Sequence, residues 1–99
     1  MSTLNLLSME SVLVQCEGNI ASDMDGEKVM LNVKNGKYYN LGEVGGEIWS
    51  ALEAPASVSR VVDTIRETYD VSAEKAERDV LTFLRHLLDE GLVEFAEQP

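Results

Sequence analysis

Two turn dipeptides, Asp25-Gly26 and Asn35-Gly36, constrain this chain more than any other feature. Both residues of such a pair tolerate the positive φ that a type I′ turn needs at its two central positions, so each predicts a tight antiparallel hairpin. The flanking residues agree: Val29, Leu31 and Val33 alternate with polar neighbours. The expectation is a three-stranded meander over Asn19 to Met24, Glu27 to Val33 and Lys37 to Leu41. Val12, Val14 and Cys16 also alternate, which makes Val12 to Glu17 an extra strand or arm. If Asn35 and Gly36 are the whole second loop, Lys34 faces Lys37, Val33 faces Tyr38 and Leu31 faces Asn40. Val29, Leu31, Val33 and Tyr38 then share one face, and Met30, Tyr39 and Leu41 the other. A one-residue slip exchanges the two sets, and the sequence leaves the register open.

After Leu41 the period becomes helical. Val44, Ile48, Trp49 and Leu52 fall at helix spacing, although Gly45 and Gly46 each cost roughly 1 kcal/mol relative to alanine, which points to close backbone packing. Ala54-Pro55 ends this helix, because a residue before proline is pushed out of the α region. Ser57 is placed to cap a second helix carrying Val58, Val61, Val62, Ile65 and Tyr69 on one stripe. Ser72 caps a third, which runs to Glu90 with Ala76, Val80, Phe83, Leu84 and Leu87 on its main stripe and stops at Gly91. Three strands followed by three helices with short connections is an α+β layout, compatible with a winged helix-turn-helix. The expected organisation is an arm or extra strand over residues 1–18, one domain over 19–95 and a tail over 96–99.

Several functions are disfavoured by what the chain carries. A formal charge of −10 offers no basic face for nucleic-acid phosphates. No apolar run approaches the roughly 20 residues of a membrane span, and Met1 to Leu7 lacks a signal peptide's basic start, so a cytoplasmic protein is expected. Cys16 and His86 are the single cysteine and the single histidine, which excludes a structural zinc site and leaves one poor nucleophile–base pair. Asp23, Asp25 and Glu27 lie in a segment too short for a calcium loop, and GEVGG is no phosphate fingerprint. The acids of helix three, Glu74, Glu77, Asp79, Asp89 and Glu90, alternate with Lys75, Arg78 and Arg85 at ion-pairing spacings. Neither cofactor nor metal is expected.

What remains is a surface. Lys37 to Leu41 ends the meander, and an edge strand offers unpaired N–H and C=O groups to a guest. The apolar arc of helix three is wider than one packing surface requires, so part of it is free to line a groove or to pack on the first two helices. A peptide added between edge and helix would gain affinity from main-chain hydrogen bonds and specificity from alternate side chains.

KYYNLGEVGGEIWSAL, the helix ending in ETYDVS, and ERDVLTFLRHLLDEGLVE together resemble the PqqD-like family of precursor-recognition elements for ribosomally made, modified peptides. The likeness covers roughly Asn19 to Phe95 and is strongest to free-standing members serving lasso-peptide biosynthesis. Gly42 departs from the pattern, since many relatives carry asparagine or aspartate there as a helix cap. The resemblance implies a non-catalytic adaptor that binds the leader of a precursor peptide as an added strand. It would present that precursor to a leader peptidase of the cysteine-protease type and to an ATP-dependent macrocyclase. By position it implies Lys37, Tyr38, Tyr39, Asn40 and Leu41 as the edge and Ala76, Asp79, Val80, Phe83 and Leu84 as the groove wall, with Arg78, Arg85 and His86 as polar contacts. Alternatives are a PqqD proper, serving a radical enzyme in quinone-cofactor synthesis, a winged-helix DNA-binding regulator, and a dimer formed through the same edge.

Overall fold

The computed structural model describes residues 7–96. β2 (Asn19–Met24), β3 (Glu27–Asn32) and β4 (Tyr38–Leu41) form an antiparallel sheet in that order, the expected meander. Asp25 and Gly26 take φ of 53° and 84° and pair Met24 with Glu27, as a type I′ turn requires.

The second turn corrects the sequence reading. The loop comprises Val33, Lys34, Asn35 and Gly36, closed by Asn32 N–H donating to Lys37 C=O at 2.9 Å, and only Gly36 has a positive φ. The cause is Asn32, whose Oδ1 accepts the N–H groups of Lys34 at 3.0 Å and Asn35 at 2.9 Å. That local turn starts before the Asn-Gly dipeptide is reached. Tyr38 therefore pairs with Leu31, Tyr39 with Met30 and Asn40 with Val29, a displacement of two residues. Because side chains repeat every second residue, the faces survive the shift. Met30 is fully buried with Tyr39 and Leu41 packed beside the core, while Ile20, Leu31 and Tyr38 form a row on the other face.

A second antiparallel sheet, absent from the sequence expectation, sets β1 (Val12–Gln15) between β5 (Ala56–Ser57) and β6 (Val93–Phe95). Strands of two and three residues are too short to show an alternating pattern. Asn32 stands where the two sheets meet, 5% exposed. Its Nδ2 donates to Asn19 Oδ1 at 2.7 Å, and Asn19 Nδ2 donates to the Cys16 carbonyl at 3.0 Å. A buried amide with every polar atom engaged fixes the local geometry instead of penalising it.

α1 (Gly42–Ser50) follows β4 directly, entering through Gly42 at φ 74°, a left-handed region open to glycine and, less readily, to asparagine or aspartate. Asn40 Oδ1 accepts the Gly42 N–H at 2.9 Å and steadies the bend. Ser57 and Ser72 cap α2 (Val58–Thr68) and α3 (Ala73–Asp89) by accepting from Arg60 N–H at 3.1 Å and Lys75 N–H at 3.2 Å. Gly91 terminates α3 at φ 74°, and Leu92 N–H returns to Leu87 C=O at 2.9 Å. Between sheets and helices lies one core, to which Leu13, Trp49, Leu52, Val61, Leu84 and Leu92 contribute. The result is an α+β fold.

Candidate functional site

The phase of the β3–β4 ladder decides what the free edge can do. Asn32 N–H and Lys37 C=O form a hydrogen-bonded pair, and such pairs recur at every second residue of an antiparallel ladder. Lys37 and Tyr39 therefore aim their backbone groups at β3, whereas Tyr38 and Asn40 aim theirs at the open side of β4. Among the described residues these two thus supply the unpaired donors and acceptors of the edge, while their side chains stand on the outer face.

Three contacts, taken from the C-terminal to the N-terminal end of α3, lay β4 and the start of α1 alongside it. Tyr39 Oη donates to Glu90 Oε1 at 3.0 Å, joining the start of β4 to the end of α3. The Phe83 ring lies against Gly45, close enough that a β-carbon built there would stand 2.8 Å from its tip. Beyond it, Val44 faces Ala76 and Val80 across an apolar cavity of about 220 Å³, also lined by Ile65, Tyr69 and Val71. The edge thus lies beside α3 from the tie at Glu90, past Phe83, to an apolar hollow near the α3 N-terminus.

The rim is charged but largely self-paired. Lys75 Nζ meets Asp79 Oδ2 at 2.9 Å, and this hydrogen bond, helped by Arg78, holds the Asp79 carboxyl below its ordinary pKa. Lys37 Nζ stands 3.9 Å from Glu90. In the wall of the hollow, burial pushes the Tyr69 phenol up, and the neighbouring Glu43 carboxylate adds to the effect.

The residues expected at the site are distributed as follows. Tyr38 and Asn40 carry the open backbone, Lys37 precedes it, and Tyr39 and Leu41 turn toward the core. Phe83 and Asp79 lie on the groove side of α3, Ala76 and Val80 form the floor of the hollow, and Leu84 is fully buried. At 100° per residue His86 falls about 60° from Phe83, whereas Arg78 and Arg85 fall about 140° and 160° away on the solvent side. Sequence reasoning missed Val44, Ile65, Tyr69 and Val71 as cavity wall and Glu90 as the tie. The apolar Tyr69 and Val71 flanking a helix break were the available signal. Cys16 lines an open cleft with Asn32, Lys34 and Glu94, far along the chain from the groove. Burial first, and Glu94 second, push its thiol pKa up, with Lys34 opposing.

An open strand edge set beside a helix with an apolar hollow at its N-terminal end is the geometry to which a guest strand can add. The chain belongs to the PqqD family, whose model, described as Coenzyme PQQ synthesis protein D (PqqD), matches residues 27–93. Among solved structures it resembles TbiB1 in complex with the TbiA(beta) leader peptide. That chain is 33% identical, the match covers 86% of this chain and 99% of the other, and the TM-score is 0.75. A lasso peptide synthetase B1 complexed with the leader peptide shares the fold at 22% identity, 83% and 96% coverage and a TM-score of 0.72. So does the PqqD truncation of Methylobacterium extorquens PqqCD, a stand-alone RiPP recognition element, at 18% identity, 94% and 99% coverage and a TM-score of 0.77. No curated protein sequence matches the chain.

Proposed function

We propose that this protein is a non-catalytic adaptor that captures the leader segment of a ribosomally made precursor peptide as an added strand, in lasso-peptide biosynthesis. The observation that carries the reading is the open backbone of Tyr38 and Asn40 beside the Phe83 groove. A guest strand would bond to those two residues and send an apolar side chain into the hollow lined by Val44, Tyr69 and Val80. TbiB1, which holds such a leader peptide, supports this assignment. In this reading Cys16 has no part in capture: it lies in a separate cleft, and burial raises its thiol pKa.

The partners in this reading are a leader peptidase and a macrocyclase, in the cytoplasm. We place the peptidase on the outer face of the β2–β4 sheet. There Ile20, Met24, Val33 and Tyr38 are 58%, 59%, 55% and 74% exposed, more apolar area than a solvated face needs. A PqqD-type role beside a radical enzyme uses the same groove and differs only in the peptide and its recipient. DNA binding is less well served, because Lys75 and Arg78 both lie against Asp79.

Titration of fluorescein-labelled leader peptides, encoded beside this chain's gene, tests the reading. Saturable binding at micromolar or lower Kd is expected, and Ile20→Lys should leave it intact while weakening capture of the peptidase. Absence of binding to every such peptide would falsify the assignment.

A further inference from the structure

Gly45 has no backbone reason to be glycine: it lies inside α1 and is not among the residues with positive φ. Space is the reason. A β-carbon there would stand 2.8 Å from Phe83 Cζ and 3.0 Å from Phe83 Cε1, with Leu41 Cβ next at an ordinary 3.4 Å. Gly46 is crowded differently, by the Cβ of Lys28 at 2.8 Å, where a strand would have to move. At Gly45 the obstacle is only the tip of one aromatic ring, at the point where the groove passes from edge to hollow.

Resting on the peptide-binding reading above, we infer that Gly45 is a positioning residue: the bare helix backbone is the seat that keeps the Phe83 ring down and the groove open above it. A side chain at Gly45 would lift the ring. Val80, Leu84 and Leu87 are fully packed beneath α3, so the ring has no room inward and moves out into the path of the guest strand. The fold itself is spared, because alanine is the better helix former and the displaced atoms belong to one flexible side chain.

The test uses the full chain with fluorescein-labelled TbiA(beta) leader peptide and the leader peptides encoded beside its gene. For whichever binds wild type, Gly45→Ala should weaken binding about tenfold, in line with overpacking a filled site, with an unchanged circular-dichroism spectrum and no lower melting temperature. The double variant G45A/F83L, whose smaller side chain fits above a β-carbon, should bind within about threefold of F83L alone. Ring-current shifts on the Gly45 α-protons report the seat directly in the unliganded protein. Wild-type binding with G45A indistinguishable from it, or G45A/F83L binding more than about threefold more weakly than F83L alone, overturns the inference alone. If wild type binds none of the peptides, the functional reading falls and this inference with it.

Discussion

The Tyr39 phenol donates to Glu90 Oε1 at 3.0 Å and accepts from Asn35 Nδ2 at 3.2 Å, so the loop, the edge strand and the end of α3 meet at one oxygen. This tie closes one end of the groove and sets how far β4 stands from the helix. Tyr39→Phe removes both bonds without changing shape and should cost about 1 kcal/mol. The urea midpoint should fall with the m-value unchanged, whereas Glu90→Gln, which keeps an accepting oxygen, should be close to neutral.

The ladder phase makes adjacent prolines unequal. At Asn40 the N–H points to the open edge, so Asn40→Pro should leave the sheet paired, cost only the Gly42 contact and abolish peptide capture. At Tyr39 the N–H belongs to the Met30 pair, and Tyr39→Pro should unfold the sheet. Circular dichroism and fluorescence anisotropy on both variants separate the cases; equal behaviour would mean the phase is wrong.

Much of this was legible in the residues. Asp25-Gly26 and the Ser57 and Ser72 caps act through neighbours within a few positions, which is the range over which sequence patterns speak. Of the small sheet, β1 was visible as the alternating extra strand, but its partners β5 and β6 were not, because they have two and three residues and pair with it across most of the chain. The Asn35-Gly36 turn was misread for a subtler reason: Asn32 is polar yet buried, and its side chain competes for the same backbone donors. At the groove, Phe83 and Val80 were visible as stripe residues of α3. The hollow was not, since Val44, Ile65 and Val71 come from three separate segments that only the packed fold brings together.

Asn32 therefore holds the register. Asn32→Ala deletes the acceptor for two backbone N–H groups and the donor to Asn19, and should cost roughly 2 to 3 kcal/mol. In the folded fraction, the two-residue type I′ turn at Asn35-Gly36 becomes competitive. Cross-strand NOEs should then report Val33 opposite Tyr38 in place of Leu31, and persistence of the Leu31–Tyr38 pair alone counts against this account.

The lowered pKa of Asp79 carries a pH signature. A carboxyl whose folded pKa lies below its unfolded value contributes stability above the unfolded pKa, about 3.9, and that contribution is lost as pH falls through the folded pKa. Lys75 is the principal cause, so Lys75→Met should raise the Asp79 titration midpoint toward the ordinary value in carboxyl-carbon NMR. The pair is exposed, so added salt should shrink the wild-type shift. A midpoint indifferent to Lys75 rejects the attribution.

Val44 offers the cleanest way to separate the hollow from the fold. It is 40% exposed on the first turn of α1 and forms one wall of the apolar cavity opposite Val80. An acidic residue in a first helical turn is favourable to the helix, so Val44→Asp should fold normally. In the complex, however, the carboxylate would lose water against an apolar guest side chain with no partner to replace it, a penalty of about 1–3 kcal/mol on mutational scales. Binding should weaken about tenfold or more at neutral pH. It should recover in part as the pH approaches the carboxylate range, because the protonated acid is cheaper to desolvate. Ser59→Asp, on the exposed side of α2, adds the same charge away from the groove and should change little. Equal losses from both substitutions would show that net charge, and not the cavity wall, governs capture.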